Sequence, residues 1–327
     1  MDKPQLIVVT PVRNEAWVLE AFLTHCSSWA DRIIVADQHS TDGSRDIALR
    51  FPKVTLIDNP GKEMNMSAAR LLLFQEVDRI SGDKIVFTLD ADEFLQDGFA
   101  ETEGWDTIIH SAPPNVIFCF RWLNIVNDFL HMQPVQPSPY EWACHFACSE
   151  KLADLYHDTE NNIVHESRLP CTRTAKYIDI DDIRFVHLNG LNTARNRNKL
   201  ALYQIASVLR GANPISIYRT NHGVPQICPA GKEIPLTDAR GNDLKSLVRT
   251  SDHGQHYIDE IVAILRREGF RKFRTLCIWG NPDLRAAGID YRPPLHIRLL
   301  HRYLRATQRR HKCLLVRLAD KFLKRLV

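Results

Sequence analysis

Two carboxylates one residue apart, Asp90 and Asp92, close a short apolar run, Lys84-Ile85-Val86-Phe87-Thr88-Leu89. That run is expected to be a buried strand. Carboxylates at a strand end supply the hard oxygen ligands that Mg²⁺ and Mn²⁺ prefer. Mg²⁺ takes one or two of them and leaves its other positions to phosphate oxygens and water. In an open parallel sheet, ligands bind beyond the carboxyl ends of the strands, where this pair falls. An Asp-x-Asp alone is weak, so its weight comes from the neighbouring strand ends. Thr10-Pro11-Val12-Arg13-Asn14-Glu15 leads from the first expected strand into a helix, exposing backbone N–H groups suited to a nucleotide's polar atoms. It lacks the glycines of G-x-G-x-x-G, which disfavours an oxidoreductase dinucleotide site. The second strand ends in Asp37-Gln38-His39-Ser40-Thr41-Asp42-Gly43-Ser44. Asp37 can accept a hydrogen bond from a base N–H or a ribose hydroxyl, while Asp42 shapes the next helix start.

Strands alternating with helices would carry these loops to one sheet edge. Strands are expected at Leu6–Thr10, Arg32–Ala36, Val54–Ile57 and Ile85–Leu89, and helices at Glu15–Ser28, Ser44–Arg50 and Asn65–Ile80. This alternation predicts βαβ units and a parallel sheet covered on both faces. Farther on, strands are expected at Val116–Trp122, Asn162–His165 and Ile183–Leu188, and helices at Thr193–Leu209 and Tyr257–Arg267. Gln133–Pro139 reads as a loop, and Asn213–Asp243, rich in Pro, Gly and Asn, as an extended loop region.

The Thr10–Glu15 and Asp37–Ser44 segments and Leu89-Asp90-Ala91-Asp92-Glu93-Phe94, in this order and spacing, resemble family 2 glycosyltransferases of the GT-A fold. Asn162-Ile163-Val164-His165-Glu166, and Phe185-Val186-His187-Leu188 followed by Lys199 and Tyr203, resemble lipopolysaccharide-core glucosyltransferase-like members more narrowly. The resemblance covers roughly residues 5–205. It implies an α/β, Rossmann-like GT-A fold with a mostly parallel central sheet flanked by helices, here with a helical C-terminal extension. Three regions are expected: a GT-A domain at 1–205, a Pro/Gly-rich loop and helical extension at 206–292, and a basic tail at 293–327.

The implied activity is metal-dependent, inverting sugar transfer from a nucleotide-diphosphate donor, most often a UDP-sugar. The acceptor would be a cell-surface glycan or a lipid-linked precursor. By the same resemblance Thr10, Pro11, Arg13 and Glu15 line the nucleotide pocket, Asp37 recognises the base, and Arg70 lies near the donor phosphates. Asp90 and Asp92 reach the ribose and a Mn²⁺ or Mg²⁺ ion, with His187 approaching the metal or the diphosphate. Glu166 is the candidate general base; Asp179, Asp181 and Asp182 compete for that role.

The chain departs from the family pattern at Gln38, where a second acid is usual, at His39, where glycine is usual, and at Leu71, where asparagine is usual. Simpler structural readings stand beside these roles. Arg70 can pair with Glu63 or Glu76, His187 can be a core histidine, and Glu166 can pair with Arg168. A nucleotidyltransferase is the competing enzyme, and a degenerate GT-A domain acting as a membrane-surface scaffold is the non-enzymatic alternative.

Hydrophobic residues make up 44% and charged residues 25% of the 327, the balance of an ordinary globular protein. The N-terminus lacks the pattern of a secretory signal, and the eight cysteines show no C-x-x-C pairing, so a cytoplasmic protein with reduced thiols is expected. The net charge of +3 is unevenly spread: residues 293–327 hold ten lysines and arginines against one acid, Asp320, and the remainder is net acidic. No nucleic-acid partner is therefore expected. The tail's leucines recur at helical spacing between its cations. This fits either a helix pair on an anionic membrane surface, with the protein peripheral on its inner face, or a helix packed on the body.

Overall fold

The computed structural model describes residues 3–61, 65–111, 113–134, 140–146, 151–156, 168–169, 175–221 and 227–326. Its strands are β1 (Gln5–Val12), β2 (Arg32–Asp37), β3 (Val54–Asp58), β4 (Lys84–Thr88), β5 (Glu93–Leu95), β6 (Val116–Val126), β7 (Asp128–Met132), β8 (Tyr140–Phe146), β9 (Lys176–Gly190) and β10 (Cys228–Pro229). The helices are α1 (Leu19–Ser27), α2 (Ser44–Leu49), α3 (Met66–Val77), α4 (Glu103–Asp106), α5 (Leu152–Leu155), α6 (Thr193–Leu209), α7 (Pro214–Asn221), α8 (Gln255–Glu268), α9 (Pro282–Ala286), α10 (Leu295–Thr307) and α11 (Leu314–Leu323). The chain divides into two compact units, one of residues 1–191 and 228–250, the other of 192–227 and 251–327.

The first unit is α/β. Four strands, β3-β2-β1-β4, run parallel, and this Rossmann-like core is flanked by helices. Both faces are covered because alternate residues serve different cores. Leu6, Val8, Ile33, Val35, Ile85 and Phe87 pack on the α1 side, while Ile7, Val9, Ile34, Ala36 and Val86 pack with Leu73 and Phe74 of α3. The sheet is not parallel throughout. β8 joins β4 antiparallel, β6 joins β8 antiparallel, and β9 runs parallel to β6 while pairing antiparallel with β5. The pairing of β9 with both β5 and β6 brings residues distant in sequence to the strand ends that matter.

Several boundaries differ from the sequence reading for local reasons. Glu15 to Val18 form a turn before α1, closed by the Val18 and Leu19 amides donating to the Glu15 carbonyl. The strand expected over 183–188 is fifteen residues long, and that over 116–122 continues to Val126. The loop expected over Asn213–Asp243 contains α7. Asn213 caps it, its side-chain oxygen accepting from the Ile215 amide at 3.0 Å, and Pro214 starts the helix, where its missing N–H costs nothing. The strand expected at Asn162–His165 and residues 135–139 of the expected loop lie outside the described residues.

The second unit is helical. Ala201, Leu202 and Ile205 of α6 pack with Ile258, Ile261 and Leu265 of α8 and with Phe273, Leu276 and Leu284. The basic tail does form two helices, and they behave differently. α10 buries Ile297, Leu300, His301 and Leu304. The sole buried residue of α11 is Asp320, and its Leu314, Leu315, Leu318 and Phe322 stay exposed. No helix among the described residues is long and apolar enough to cross a membrane.

Candidate functional site

The carboxyl ends of β1, β2 and β4 form one edge, as the parallel register requires: Thr10 lies opposite Val35, Val12 opposite Asp37, and Val9 opposite Thr88. The loops after β1 and β2 are laced together. The Asn14 amide donates to Ser40 Oγ (2.9 Å), Glu15 N–H to Ser44 Oγ (2.9 Å) and Ala16 N–H to Asp42 Oδ2 (2.9 Å), while the Thr41 amide donates to Asn14 Oδ1 (2.7 Å). Asp42 also accepts from the Ser44 amide at the start of α2. The Glu15 carboxylate is taken by the Trp17 indole N–H at 2.7 Å. Pro11 and Arg13 are half-buried at the same edge.

Within this frame some buried polar atoms have no hydrogen-bond partner among the described residues: Thr10 Oγ1, Asp37 Oδ1 and, on α3, Ser67 Oγ. Burying such oxygens unsatisfied costs free energy, so an edge that gathers them is suited to a polar ligand. The other Asp37 oxygen accepts from the Ser40 amide at 3.4 Å and meets the Arg45 guanidinium at 3.3 Å. Gln38, in the usual acid's place, is structural, donating to the Gly61 carbonyl at 2.7 Å. His39, in the usual glycine's place, has φ 52°, so the turn keeps a left-handed conformation that glycine adopts without strain. Arg70 is 7% exposed, and among the described residues no ion pair or hydrogen bond holds its guanidinium. Glu76, one of its expected partners, pairs with Arg79 instead, and Glu63 lies outside the described residues.

At the end of β4 the acids are met by two basic side chains from distant parts of the chain, Arg168 and His187. Asp90 Oδ2 pairs with Arg168 at 2.8 Å, and the same guanidinium reaches Glu93 Oε2 at 2.5 Å and lies over the Trp122 ring. Glu93 is fully buried. Burial raises its pKa more than Arg168 lowers it, and its Oε1 has no hydrogen-bond partner among the described residues. Burial opposes the charge on Arg168, but Asp90 and Glu93 outweigh it and keep the guanidinium firmly protonated.

Asp92 faces His187, with Oδ1 to Nε2 at 3.5 Å. His187 Nδ1 lies 2.8 Å from the Asn124 amide oxygen and its ring stacks on Trp122. An N–H at Nδ1 donating to Asn124 fixes the ring and aims Nε2 at Asp92. Burial lowers the His187 pKa, and the surrounding Asp92, Glu93 and Asp90 more than reverse this. His187 is thus no isolated core histidine.

The sequence reading placed Asp90, Asp92 and His187 together as metal ligands. Among the described residues no three acids, histidines or cysteines form a group that could hold an ion. Asp92 and His187 face one another, whereas Asp90 is engaged by Arg168. As a two-donor pair, Asp92 and His187 fit an ion that takes its remaining ligands from phosphate and water. Arg168 meets Asp90 and Glu93; Glu166, its expected partner, lies outside the described residues. Of the competing bases, Asp182 Oδ2 accepts from the Gly104 amide at 2.9 Å, Asp181 pairs with Arg121, and Asp179 is exposed.

Arg168, Glu93, Asn124 and Trp122 were not found by sequence reasoning. Glu93 had a signal, since it adjoins Asp92 in an otherwise apolar turn. Asn124 and Trp122 reach the site through the pairing of β6, β9 and β5, and Arg168 comes from a segment between strands; no local pattern announces either.

Residues 7–102 match the family model described as glycosyl transferase family 2, so the β1, β2 and β4 loops all fall in the matched segment. No curated protein matches the chain. Among solved structures, HddC from Yersinia pseudotuberculosis is similar at 14% identity and a TM-score of 0.33, over 56% of this chain and 93% of that one. The inositol-1-phosphate CTP transferase from T. maritima is similar at 6% identity and a TM-score of 0.37, over 57% of this chain and 91% of that one. A 4-diphosphocytidyl-2C-methyl-D-erythritol synthase is similar at 11% identity and a TM-score of 0.36, over 55% of this chain and 90% of that one.

Proposed function

We propose that the first unit transfers a sugar from a nucleotide diphosphate, with a UDP-sugar as donor, to a hydroxyl of a cell-surface glycan or its lipid-linked precursor. The observation that carries this reading is the edge itself: unsatisfied buried oxygens on Thr10, Asp37 and Ser67, within the segment matching the family 2 model. Asp37 Oδ1 accepts from a base N–H. Thr10, Pro11, Arg13 and Glu15 line the nucleotide pocket, and Arg70 sets a fixed positive charge against the diphosphate. Asp92 and His187 would hold Mg²⁺ or Mn²⁺, and Asp90 faces the ribose. When bound, such an ion supplies Lewis-acid stabilisation of the leaving group's charge.

The acceptor oxygen attacks the anomeric carbon from the face opposite the diphosphate. The new C–O bond forms as the bond to phosphate breaks, the configuration inverts, and the nucleoside diphosphate leaves. The acceptor's proton passes to a carboxylate. Glu166 is our candidate, because Asp181 and Asp182 already serve Arg121 and the start of α4. General-base help of this kind is worth about 10²–10⁴ in rate. Arg168 holds Asp90 and Glu93 at their spacing.

We also propose that α11 rests on an anionic lipid surface, bringing the enzyme to a lipid-linked acceptor. Leu315 is 75% exposed and Phe322 63%, with Arg317, Lys321, Lys324 and Arg325 between and beyond them. Exposed leucines flanked by cations complement both layers of such a surface.

Incubation with a panel of UDP-sugars and Mn²⁺ tests the transfer. Released UDP supports it, pyrophosphate released instead from UTP and a sugar 1-phosphate would replace it with nucleotidyl transfer, and no turnover with any donor would leave a binding scaffold.

A further inference from the structure

The second unit holds a cavity of about 510 Å³, within the size range of small-molecule sites. Its wall is dominated by arginine: Arg285 from α9, Arg292 from the loop before α10, and Arg298 and Arg305 from α10 itself. Arg298 and Arg305 are seven residues apart with His301 between them, so one face of α10 turns all three to the cavity. The single carboxylate of the lining is Asp290. Among the described residues Arg285, Arg292 and Arg298 take part in no ion pair. Gathering like charges around a concavity opposes folding and focuses a positive potential into the space they enclose.

The remaining wall is aromatic and rigid. Tyr291 stacks on Phe270 at 22° between planes and lies 4.5 Å, centroid to centroid, from Trp279, whose indole N–H donates to the Phe273 carbonyl. Two recognition chemistries therefore meet. Guanidinium forks match phosphate oxygens bidentately, and an aromatic edge offers an apolar surface to a sugar ring.

We propose that this cavity is a binding site for a sugar phosphate or sugar diphosphate, free or carried on a lipid. The arginines take the phosphate and Tyr291 with Trp279 takes the ring. The site lies wholly in the second unit and does not depend on the donor reading of the first.

Calorimetric titration of the full-length protein with glucose 1-phosphate and with inorganic pyrophosphate tests it, beside sedimentation with phosphatidylcholine vesicles with and without phosphatidic acid. The readout is the difference between wild type and Arg285→Gln/Arg292→Gln, two exposed positions at which folding is not at stake; Arg298→Gln is the second variant. Saturable binding weakened about tenfold or more by these changes is expected. Arginine-dependent binding of glucose 1-phosphate identifies a soluble ligand. Dependence confined to phosphatidic acid vesicles identifies a lipid-borne phosphate. Tyr291→Ala should weaken glucose 1-phosphate more than pyrophosphate. Binding that is absent in every arm, or that is the same in the variants, overturns the proposal.

Discussion

The two units treat charge in opposite ways. In the first, the ionised groups at the end of β4 are buried and matched: Arg168 spans Asp90 and Glu93, and His187 faces Asp92. Unmet there, among the described residues, are buried oxygens on Thr10, Asp37, Ser67 and Glu93 and, on α3, the guanidinium of Arg70. In the second, the arginines of the cavity are exposed or half-buried and unmatched, whereas the engaged arginines Arg195 and Arg219 meet Asp252 at 3.4 Å and Asp320 at 2.8 Å. An edge of unmet oxygens calls for donors and cations. A bowl of unmet guanidiniums calls for anions. The same residue type is scaffold at Arg168 and Arg219 and a ligand contact at Arg292, and the distinction is whether a carboxylate already occupies it.

Arg168→Gln breaks this comparison most severely. It would leave the fully buried Glu93 without its cation, a loss of about 3–5 kcal/mol. Arg285→Gln, at an exposed and unpaired position, should change stability by no more than about 0.5 kcal/mol. Urea unfolding of the two variants measures the contrast. Equal effects would mean that Arg168 is not the counter-ion that holds the acids in place.

Next comes Asp92→Asn. It keeps the shape of the side chain but removes the charge facing His187, and transfer should fall by about 10²–10³-fold. Stability should fall less than in Arg168→Gln, because asparagine keeps the volume and polar atoms of the side chain and leaves no buried charge newly without its counter-ion. Undiminished turnover with Mn²⁺ present would remove Asp92 from the chemistry.

The legibility of the two units differs for a physical reason. Asp37, Asp42 and the end of β4 could be placed from sequence because a short continuous apolar run stops there and a polar turn begins at it or just beyond it. α6 was read from Thr193 to Leu209 because an apolar face repeats cleanly across it. Asn124 and Trp122 reach the acids through cross-strand register, and Arg168 through a segment outside the strands; both depend on partners far along the chain. α7 was read as loop because Asn213 and Pro214 are loop formers as well as helix starters. The tail's pattern gave two helices but not which face each would bury, since leucines at helical spacing suit a core and a lipid surface alike.

A smaller effect separates charges that are matched from groups that are buried neutral. His25, 0% exposed, has Nδ1 2.8 Å from the Thr237 carbonyl and accepts the Leu95 amide at Nε2, an arrangement only the neutral ring satisfies. Burial, opposed by the Thr237 bond and Asp238, pushes its pKa down to about 4. Above the unfolded value near 6.5 the ring is neutral in both states and has no pH-linked effect. As pH falls below that, the unfolded chain takes a proton that the folded one refuses. Stability should therefore drop by about 2 kcal/mol between pH 6.5 and 5 from this group. Denaturant unfolding at the two values should show a smaller drop in His25→Leu; an identical drop would mean that the ring is protonated in the fold.

The smallest stability effect is expected on α11, where the contrast between its neighbours is sharpest. α10 hides Ile297, Leu300 and Leu304, so removing residues 293–327 would strip part of the second unit's own core and could not report on a surface. α11 is inverted: Asp320 is its buried anchor, held by both the Arg219 fork and the Tyr303 hydroxyl, and Leu314, Leu315 and Leu318 face outward. Leu315→Glu/Leu318→Glu alters only that outward face. It should leave unfolding within about 0.5 kcal/mol of wild type, because no packed contact is lost. On vesicles containing anionic lipid it should nonetheless release the protein, since two carboxylates replace apolar contacts and repel the surface. If vesicle binding survives these changes, the exposed leucines are not what meets the lipid. If stability falls by several kcal/mol instead, the face is already covered by protein.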